Sequence, residues 1–233
     1  MRQLCKLFGA GSSPASSKNS GVSMIRSVSD SQDELLKNIV SLYCPQGIEC
    51  DPTYGRGVFY KSISKPRLCY DIDPKVEGIR QADCRHLPIE DSSIKSIMFD
   101  PPFIAGGRID GKDGVMKARY GMYPTVPALW SMYRDSMVEF ARVLEYHGTL
   151  IVKCQDTVAG RMQCLSHVEV VNLGLSVGLF PEDLFILVAN HRLIRDGQKM
   201  QIHARKYHSY FIVFTRKNSS GHYTNSISIK KGE

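Results

Sequence analysis

Long hydrophobic runs are missing from this sequence. No stretch approaches the roughly 18 to 20 consecutive apolar residues of a membrane-spanning helix. The apolar patch from Met1 to Phe8 is also too short for a secretory signal. The sequence therefore predicts a cytoplasmic protein without a membrane partner. Met24 is a candidate for an alternative start of translation.

The cysteine pattern excludes the usual structural frameworks. The seven cysteines form an odd set that contains no CxxC pair and no zinc-type Cys/His spacing. Cys154, Cys164 and His167 are candidate metal ligands, but three residues scattered in this way more often pack in the protein core. We expect reduced cysteines, most of them in the core, and no metal site.

The GxGxxG turn of dinucleotide-binding proteins is also absent after the first predicted buried strand. The loop Asp51-Pro52-Thr53-Tyr54-Gly55-Arg56-Gly57 stands there instead. Its Asp51 would repel a phosphate, whereas Gly55 and Gly57 let a ligand approach the backbone. An acidic loop suits a cationic ligand with a free amino group. S-adenosylmethionine, which carries a sulfonium and an ammonium, meets that description.

Size and charge favour one domain with a polyanionic partner. A chain of 233 residues with 42% hydrophobic residues can bury one substantial core. Its net charge of +7 favours nucleic acid, although much of the excess lies near the two ends of the chain. Residues 9–20 are too poor in large apolar side chains to fold. We expect a disordered tail at 1–28, a single domain at 29–217 and a flexible tail at 218–233.

Short apolar runs alternate with amphipathic segments along the domain, a pattern typical of a parallel sheet wrapped by helices. It predicts a Rossmann-like, three-layer α/β fold with a mostly parallel sheet of about seven strands. Helices are expected at 29–43, 127–145 and 166–175, and strands at 47–50, 67–71, 96–99, 148–154, 183–188 and 207–215.

Acidic residues end the second of these strands and a further short extended piece that follows it. Asp71 closes one strand where ribose hydroxyls are usually bound, and Asp73 is the second choice for that role. Asp83, followed by Cys84, ends another short extended piece and is placed to accept from an adenine amino group. Any one of these acids is more often a capping or surface residue, but three at successive strand ends favour a ligand site.

The tetrapeptide Asp100-Pro101-Pro102-Phe103 follows the apolar run 96–99 directly. Two prolines donate no backbone hydrogen bonds, so the Asp100 side chain and the Pro101 carbonyl are expected to face outward as acceptors. Such a turn can hold an amino group by both hydrogens while Phe103 stacks on its ring. The alternative is a strand that simply stops at an exposed turn.

Together these motifs resemble the class I S-adenosylmethionine-dependent methyltransferases that modify exocyclic amines of nucleobases, the DNA N6-adenine/N4-cytosine type. Further segments at 119–121, 152–156 and 201–205 resemble a bacterial and phage subgroup. The resemblance implies a catalytic turn of Asp100, Pro101, Pro102 and Phe103. It also implies a cofactor site formed by Asp51, Pro52, Thr53, Tyr54, Gly55, Gly57, Asp71, Asp83 and Cys84.

The resemblance favours adenine N6 in DNA as the target, because Asp stands first in the turn. An RNA base (adenine N6 or guanine N2), cytosine N4 and a non-catalytic binding subunit remain alternatives. The first crossover, 58–66, is short for this family, and no segment is left for a separate target-recognition domain. A recognition subunit or a homodimer is therefore an expected partner.

Basic residues follow the catalytic turn within a glycine-rich segment, 104–122. We expect this segment to close over the target strand and contact nucleic-acid phosphates, and the alternative is a solvated loop. Two residues before the last strand are expected to line the same cleft, and the alternative for each is a surface residue. The residues concerned are Arg108, Lys112, Lys117, Arg119, His203 and Arg205.

Overall fold

A mixed sheet of eight strands forms the centre of the computed structural model, which describes residues 24–105, 123–159, 161–189 and 203–217. In spatial order its strands are β1 (Val28–Ser29), β9 (Leu179–Val188), β10 (His208–Arg216), β6 (Leu144–Cys154), β5 (Ile94–Phe99), β2 (Cys50–Asp51), β3 (Leu68–Asp71) and β4 (Arg80–Gln81). Only β10 among them runs antiparallel to its neighbours. The predicted Rossmann-like sheet is confirmed, with eight strands instead of about seven.

Helices cover both faces of this sheet. Alternate residues of a strand point to opposite faces. Met98, Ile151 and Phe211 pack with α1 (Gln32–Tyr43), which lies on one face. Phe99, Val152 and Phe214 belong to the core on the other face, which also holds buried residues of α2 (Val126–Val143) and α3 (Ser166–Ser176). The three-layer prediction is therefore confirmed.

Local sequence signals explain where the helices start. The Ser31 hydroxyl accepts from the Glu34 amide at 3.3 Å and caps α1, within the predicted cap region. The Thr125 hydroxyl caps α2 in the same way, with Pro127 in the first turn, where a missing amide donor costs nothing. The predicted end of α2 at 145 is wrong because β6 begins directly at Leu144.

Several extended segments differ from the prediction. Strands β6 and β9 begin at Leu144 and Leu179, about four residues earlier than expected. The hairpin of β7 (Thr157–Ala159) and β8 (Met162–Cys164) and the short strand β1 were not predicted. The first crossover contains one short 3₁₀ helix, Val58–Lys61, which agrees with its predicted brevity.

The predicted tails stay predictions, since residues 1–23 and 218–233 lie outside the described residues. Within the first of them, Val28 already pairs with Ile186. None of the described helices is both long and apolar enough to cross a membrane.

The topology brings several strand ends together. Strands β2, β3, β5 and β6 are parallel, and β9 shares their direction because both β6 and β9 are antiparallel to β10. Their carboxyl termini and the start of β10 therefore lie at one end of the sheet, which we call the carboxyl end. Ligands of open α/β sheets bind there.

Candidate active site at the carboxyl end of the sheet

The acidic residue of the loop after β2 is buried. Asp51 is 2% exposed, and its side chain accepts from the Tyr60 hydroxyl at 2.6 Å and the Thr53 amide at 2.8 Å. Burial raises the pKa of the Asp51 carboxyl to about 7, although these hydrogen bonds oppose the rise, and the nearby Asp100 adds to it. Asp51 can therefore change its charge near neutral pH.

The glycine loop is fastened to the next strand. Gly55, with φ +56°, donates its amide hydrogen to Asp71 at 2.8 Å, and the other Asp71 oxygen accepts from the Asp73 amide at 2.9 Å. Each carboxylate oxygen retains a lone pair for a ribose hydroxyl. Asp73, the second choice, is exposed and pairs with Lys75. A Cβ on Gly55 would meet only the Thr53 carbonyl, at 3.9 Å, so the space beside this turn is open.

Two aromatic rings lie over the same loop. Tyr54 stacks on Tyr60, with ring centroids 5.4 Å apart and planes 3° apart. A Cβ on Gly57, whose φ is +66°, would come within 2.4 Å of the Tyr54 hydroxyl. Glycine at 57 therefore permits both the turn and the position of the Tyr54 ring.

The acid predicted for the adenine edge is engaged by its own turn. Asp83 accepts from the Arg85 side chain at 2.5 to 3.1 Å and from the Arg85 amide at 3.0 Å. The hydrogen bond from Arg85 lowers the pKa of Asp83. An adenine amino group would have to share these oxygens with Arg85. The Cys84 sulfur contacts the Ser136 hydroxyl of α2 at 3.2 Å.

A hydrogen bond joins the predicted catalytic turn to the glycine loop. The Asp100 amide donates to the Thr53 hydroxyl at 2.9 Å. The Asp100 side chain is 25% exposed, and burial raises its pKa while Lys153 opposes the rise. Pro101 is buried, whereas Pro102 and Phe103 are partly exposed. The Asp100 side chain is thus only partly exposed, and the outward direction of the Pro101 carbonyl stays a prediction.

Lys153 is a residue of this site that the sequence reading did not assign. Its ammonium lies 3.8 Å from an Asp100 oxygen and only 17% of the side chain is exposed. The available signal was a lysine near the end of a predicted central strand, 148–154, whose other residues include no charged side chain.

A polar network adjoins the same end of the sheet. Asp156, which is 5% exposed, lies 2.8 Å from His167 Nδ1 and accepts from the Tyr210 hydroxyl at 3.3 Å. The Tyr210 hydroxyl also lies 2.9 Å from His208 Nε2. His167 thus pairs with a carboxylate, and within the described residues no group of three or more potential ligands is placed to hold a metal ion.

The residues predicted to bind the substrate fall in two groups. Arg108, Lys112, Lys117 and Arg119 lie outside the described residues. His203 and Arg205 precede β10 at the carboxyl end; Arg205 is exposed, and His203 Nε2 lies 2.8 Å from the Arg161 carbonyl in the hairpin. A surface groove of about 330 Å³ lies at the opposite end of the sheet and includes none of these residues.

No protein-family model and no curated protein matches the chain. Solved structures that resemble it include a candidate DNA modification methylase from Thermus thermophilus, complexed with S-adenosyl-L-methionine (16% identity, TM-score 0.41, 62% of this chain and 57% of that chain). Another is the PvuII cytosine-N4-specific DNA methyltransferase (14% identity, TM-score 0.43, 59% of this chain and 48% of that chain). A third is a candidate methyltransferase of Haloferax volcanii in complex with the Trm112 activator (11% identity, TM-score 0.47, 82% of this chain and 95% of that chain). This chain thus spans only about half the length of the first two.

Proposed function

We propose that this protein is an S-adenosylmethionine-dependent methyltransferase that acts on an exocyclic nucleobase amine, with adenine N6 in DNA as the favoured target. The hydrogen bond from the Asp100 amide to Thr53 carries the proposal. It fixes a turn suited to an amine directly beside a loop suited to a cationic cofactor.

The residues of the loop fit such a cofactor. Asp51 supplies a buried carboxyl, Asp71 lies behind the turn, and the space beside Gly55 is open. Asp51 and Asp71 would hold the cationic and ribose parts, respectively. When bound, S-adenosylmethionine supplies an electrophilic methyl group.

The catalytic turn would act by orientation. The lone pair of a nucleobase amine is delocalised into the ring, so the amine is a poor nucleophile. Asp100 and the Pro101 carbonyl accept its two hydrogens and favour a pyramidal nitrogen whose lone pair is available. Such positioning can lower a barrier by about 3 kcal/mol or more. Phe103 stacks on the base, which must leave a duplex to be reached.

Substitution of Asp100 tests the proposal. We expect Asp100→Ala to lower methyl transfer at least about 100-fold while cofactor binding persists, because the carboxylate acts on the amine. Mass spectrometry of nucleosides from DNA and RNA treated with enzyme and methyl-labelled cofactor identifies both base and polymer. Asp135→Ala, which changes an exposed Asp on α2, is the matched control and should retain activity.

Other outcomes separate the alternatives. Label in RNA adenine, RNA guanine or DNA cytosine would replace the favoured target but keep the reaction. A folded protein that binds no cofactor in isothermal titration would support a non-catalytic subunit. Near-normal transfer by Asp100→Ala would refute the role of this turn. Activity only after addition of a partner or after dimerisation would assign target recognition to a second chain.

A further inference from the structure

Lys153 is placed beside Asp100 by strand register. Phe99 of β5 pairs with Val152 of the parallel strand β6, so the next residues of both strands are neighbours. The Lys153 ammonium lies 3.8 Å from Asp100 Oδ2. Between Gly148 and Cys154 of β6, Lys153 is the only charged residue and Thr149 is the only other polar one. The lysine therefore interrupts a mainly apolar segment.

The ammonium contacts two buried aromatic rings and one side chain of α1. It lies 4.7 Å from the centre of the Phe59 ring and 5.6 Å from that of Phe211, and both rings are buried. It donates to the Gln32 side-chain oxygen at 3.3 Å. A surface lysine pairs weakly because its stem is mobile and water screens its charge. Neither condition applies to Lys153.

Burial opposes the ionisation of Asp100, and Asp100 in turn affects the titratable groups near it. Asp51, at the end of β2, is a second buried carboxyl, and the charge of Asp100 contributes to its raised pKa. Burial raises the pKa of Cys154 of β6 and of Tyr133 of α2, and the charge of Asp100 adds to both rises. The positive charge that favours an ionised Asp100 is that of Lys153.

We propose that Lys153 is a positioning residue that keeps Asp100 ionised and directs Oδ2 toward β6, which leaves Oδ1 for the substrate amine. This inference rests on the proposed function and concerns the same site. A protonated Asp100 would present a donor to the amine hydrogens and would lose one of its acceptors. Lys153 therefore determines the pH range in which the turn can hold an amine.

The pH dependence of Lys153→Met tests this role. Methionine retains most of the stem volume and removes the charge. We expect methyl transfer at pH 6 to fall at least about tenfold relative to the unchanged protein, and the loss to shrink to less than about threefold at pH 8. Lys153→Arg should restore the original profile. Lys95→Met, at an exposed lysine of β5, is the matched control and should leave the profile unchanged.

A second measurement does not require activity. Carboxyl ¹³C NMR of aspartate-labelled protein, with the Asp100 signal assigned by its loss in Asp100→Asn, should show Asp100 titrating at higher pH in Lys153→Met. An unchanged titration in a folded Lys153→Met protein would overturn the inference even if methyl transfer were found. If the Asp100 titration shifts but no nucleic acid is methylated, the effect of Lys153 on Asp100 is supported and the proposed function is refuted. Should Lys153→Met not fold, Lys153→Gln takes its place.

Discussion

The buried carboxyl of Asp51 contributes to the pH dependence of the protein's stability. Its pKa is about 7 in the folded protein and has its ordinary value of 3.8 in the unfolded chain. The folded state therefore binds the Asp51 proton more tightly. The stability that this provides is fully present below pH 3.8 and is lost as pH rises through about 7.

Asp51→Asn removes this titration. We expect the variant to be more stable than the unchanged protein at pH 8, by up to about 4 kcal/mol, because the cost of burying a charged carboxylate disappears. The difference should shrink toward pH 4, where the carboxyl is already largely neutral in the folded protein. Urea unfolding at several pH values measures it.

Asp73→Asn is the matched control, since Asp73 is an exposed carboxyl at the same end of the sheet. Its effect should be small at every pH. If the free energies of unfolding of Asp51→Asn and the unchanged protein differed by the same amount from pH 4 to 8, the assigned role of Asp51 would be wrong. Asp51→Asn should also weaken cofactor binding at pH 8, which isothermal titration can check.

Residue identity was easier to predict than residue environment. The motif acids lie at the predicted strand ends, because the carboxyl ends of parallel strands meet at one end of a sheet. The engagement of Asp83 by Arg85 depends on the side-chain geometry of one turn, and the pairing of Lys153 with Asp100 depends on strand register. Neither follows from the order of residues along the chain, and the roles of the site residues stay predictions.

Helix α3 packs closely against strand β10. Gly174 lies in this helix, and a Cβ there would lie 2.5 Å from the Phe214 ring. Alanine is ordinarily favoured over glycine in a helix by about 1 kcal/mol. The buried ring leaves no room, so we expect Gly174→Ala to destabilise the protein by about 1 to 2 kcal/mol. Chemical denaturation measures the change.

Two further variants make this result specific. Asn172→Ala, at an exposed position of the same helix, should be neutral or stabilising by a few tenths of a kcal/mol. Phe214→Leu should make Gly174→Ala less harmful than in the unchanged protein, because the two side chains share one space. If Gly174→Ala proved as stable as the unchanged protein, the close approach of helix and strand would be wrong.

Elements with a clear apolar period were predicted well, and those without one were missed. Helix α3 and strand β10 fall within one residue of their predicted bounds. The residues of β7 and β8 are exposed or half-buried, and at three residues each these strands are too short to show a period. Strand β1 contains two residues, which are extended because they pair with β9. Such elements depend on tertiary contacts that local sequence does not encode.

Charge is distributed unevenly over the whole chain. Lys and Arg exceed Asp and Glu by three in residues 1–23, by two in 106–122, by two in 190–202 and by one in 218–233. The described residues together carry a net charge of −1. The net charge of +7 is thus supplied entirely by these four segments. Two of them, 106–122 and 190–202, follow strands at the carboxyl end of the sheet.

This distribution predicts which residues make nucleic-acid binding sensitive to salt. Each phosphate contact contributes about −0.9 to the slope of log affinity against log salt for duplex DNA. Replacing Arg108, Lys112, Lys117 and Arg119 by Gln should therefore make the slope shallower by about 2 to 4. Fluorescence anisotropy with a labelled duplex between low and moderate salt measures the slope.

Four exposed basic residues of the described core provide the control. Replacing Lys37, Lys61, Lys95 and Arg134 by Gln removes the same formal charge. If net charge alone attracted the polyanion, both variants would change the slope equally. If segment 106–122 contacts phosphates, only its own variant loses contacts, and the control changes the affinity slightly at low salt through the long-range field. If the unchanged protein and both variants had equal slopes, segment 106–122 would be a solvated loop without phosphate contacts. That result would not bear on the reaction at the Asp100 turn.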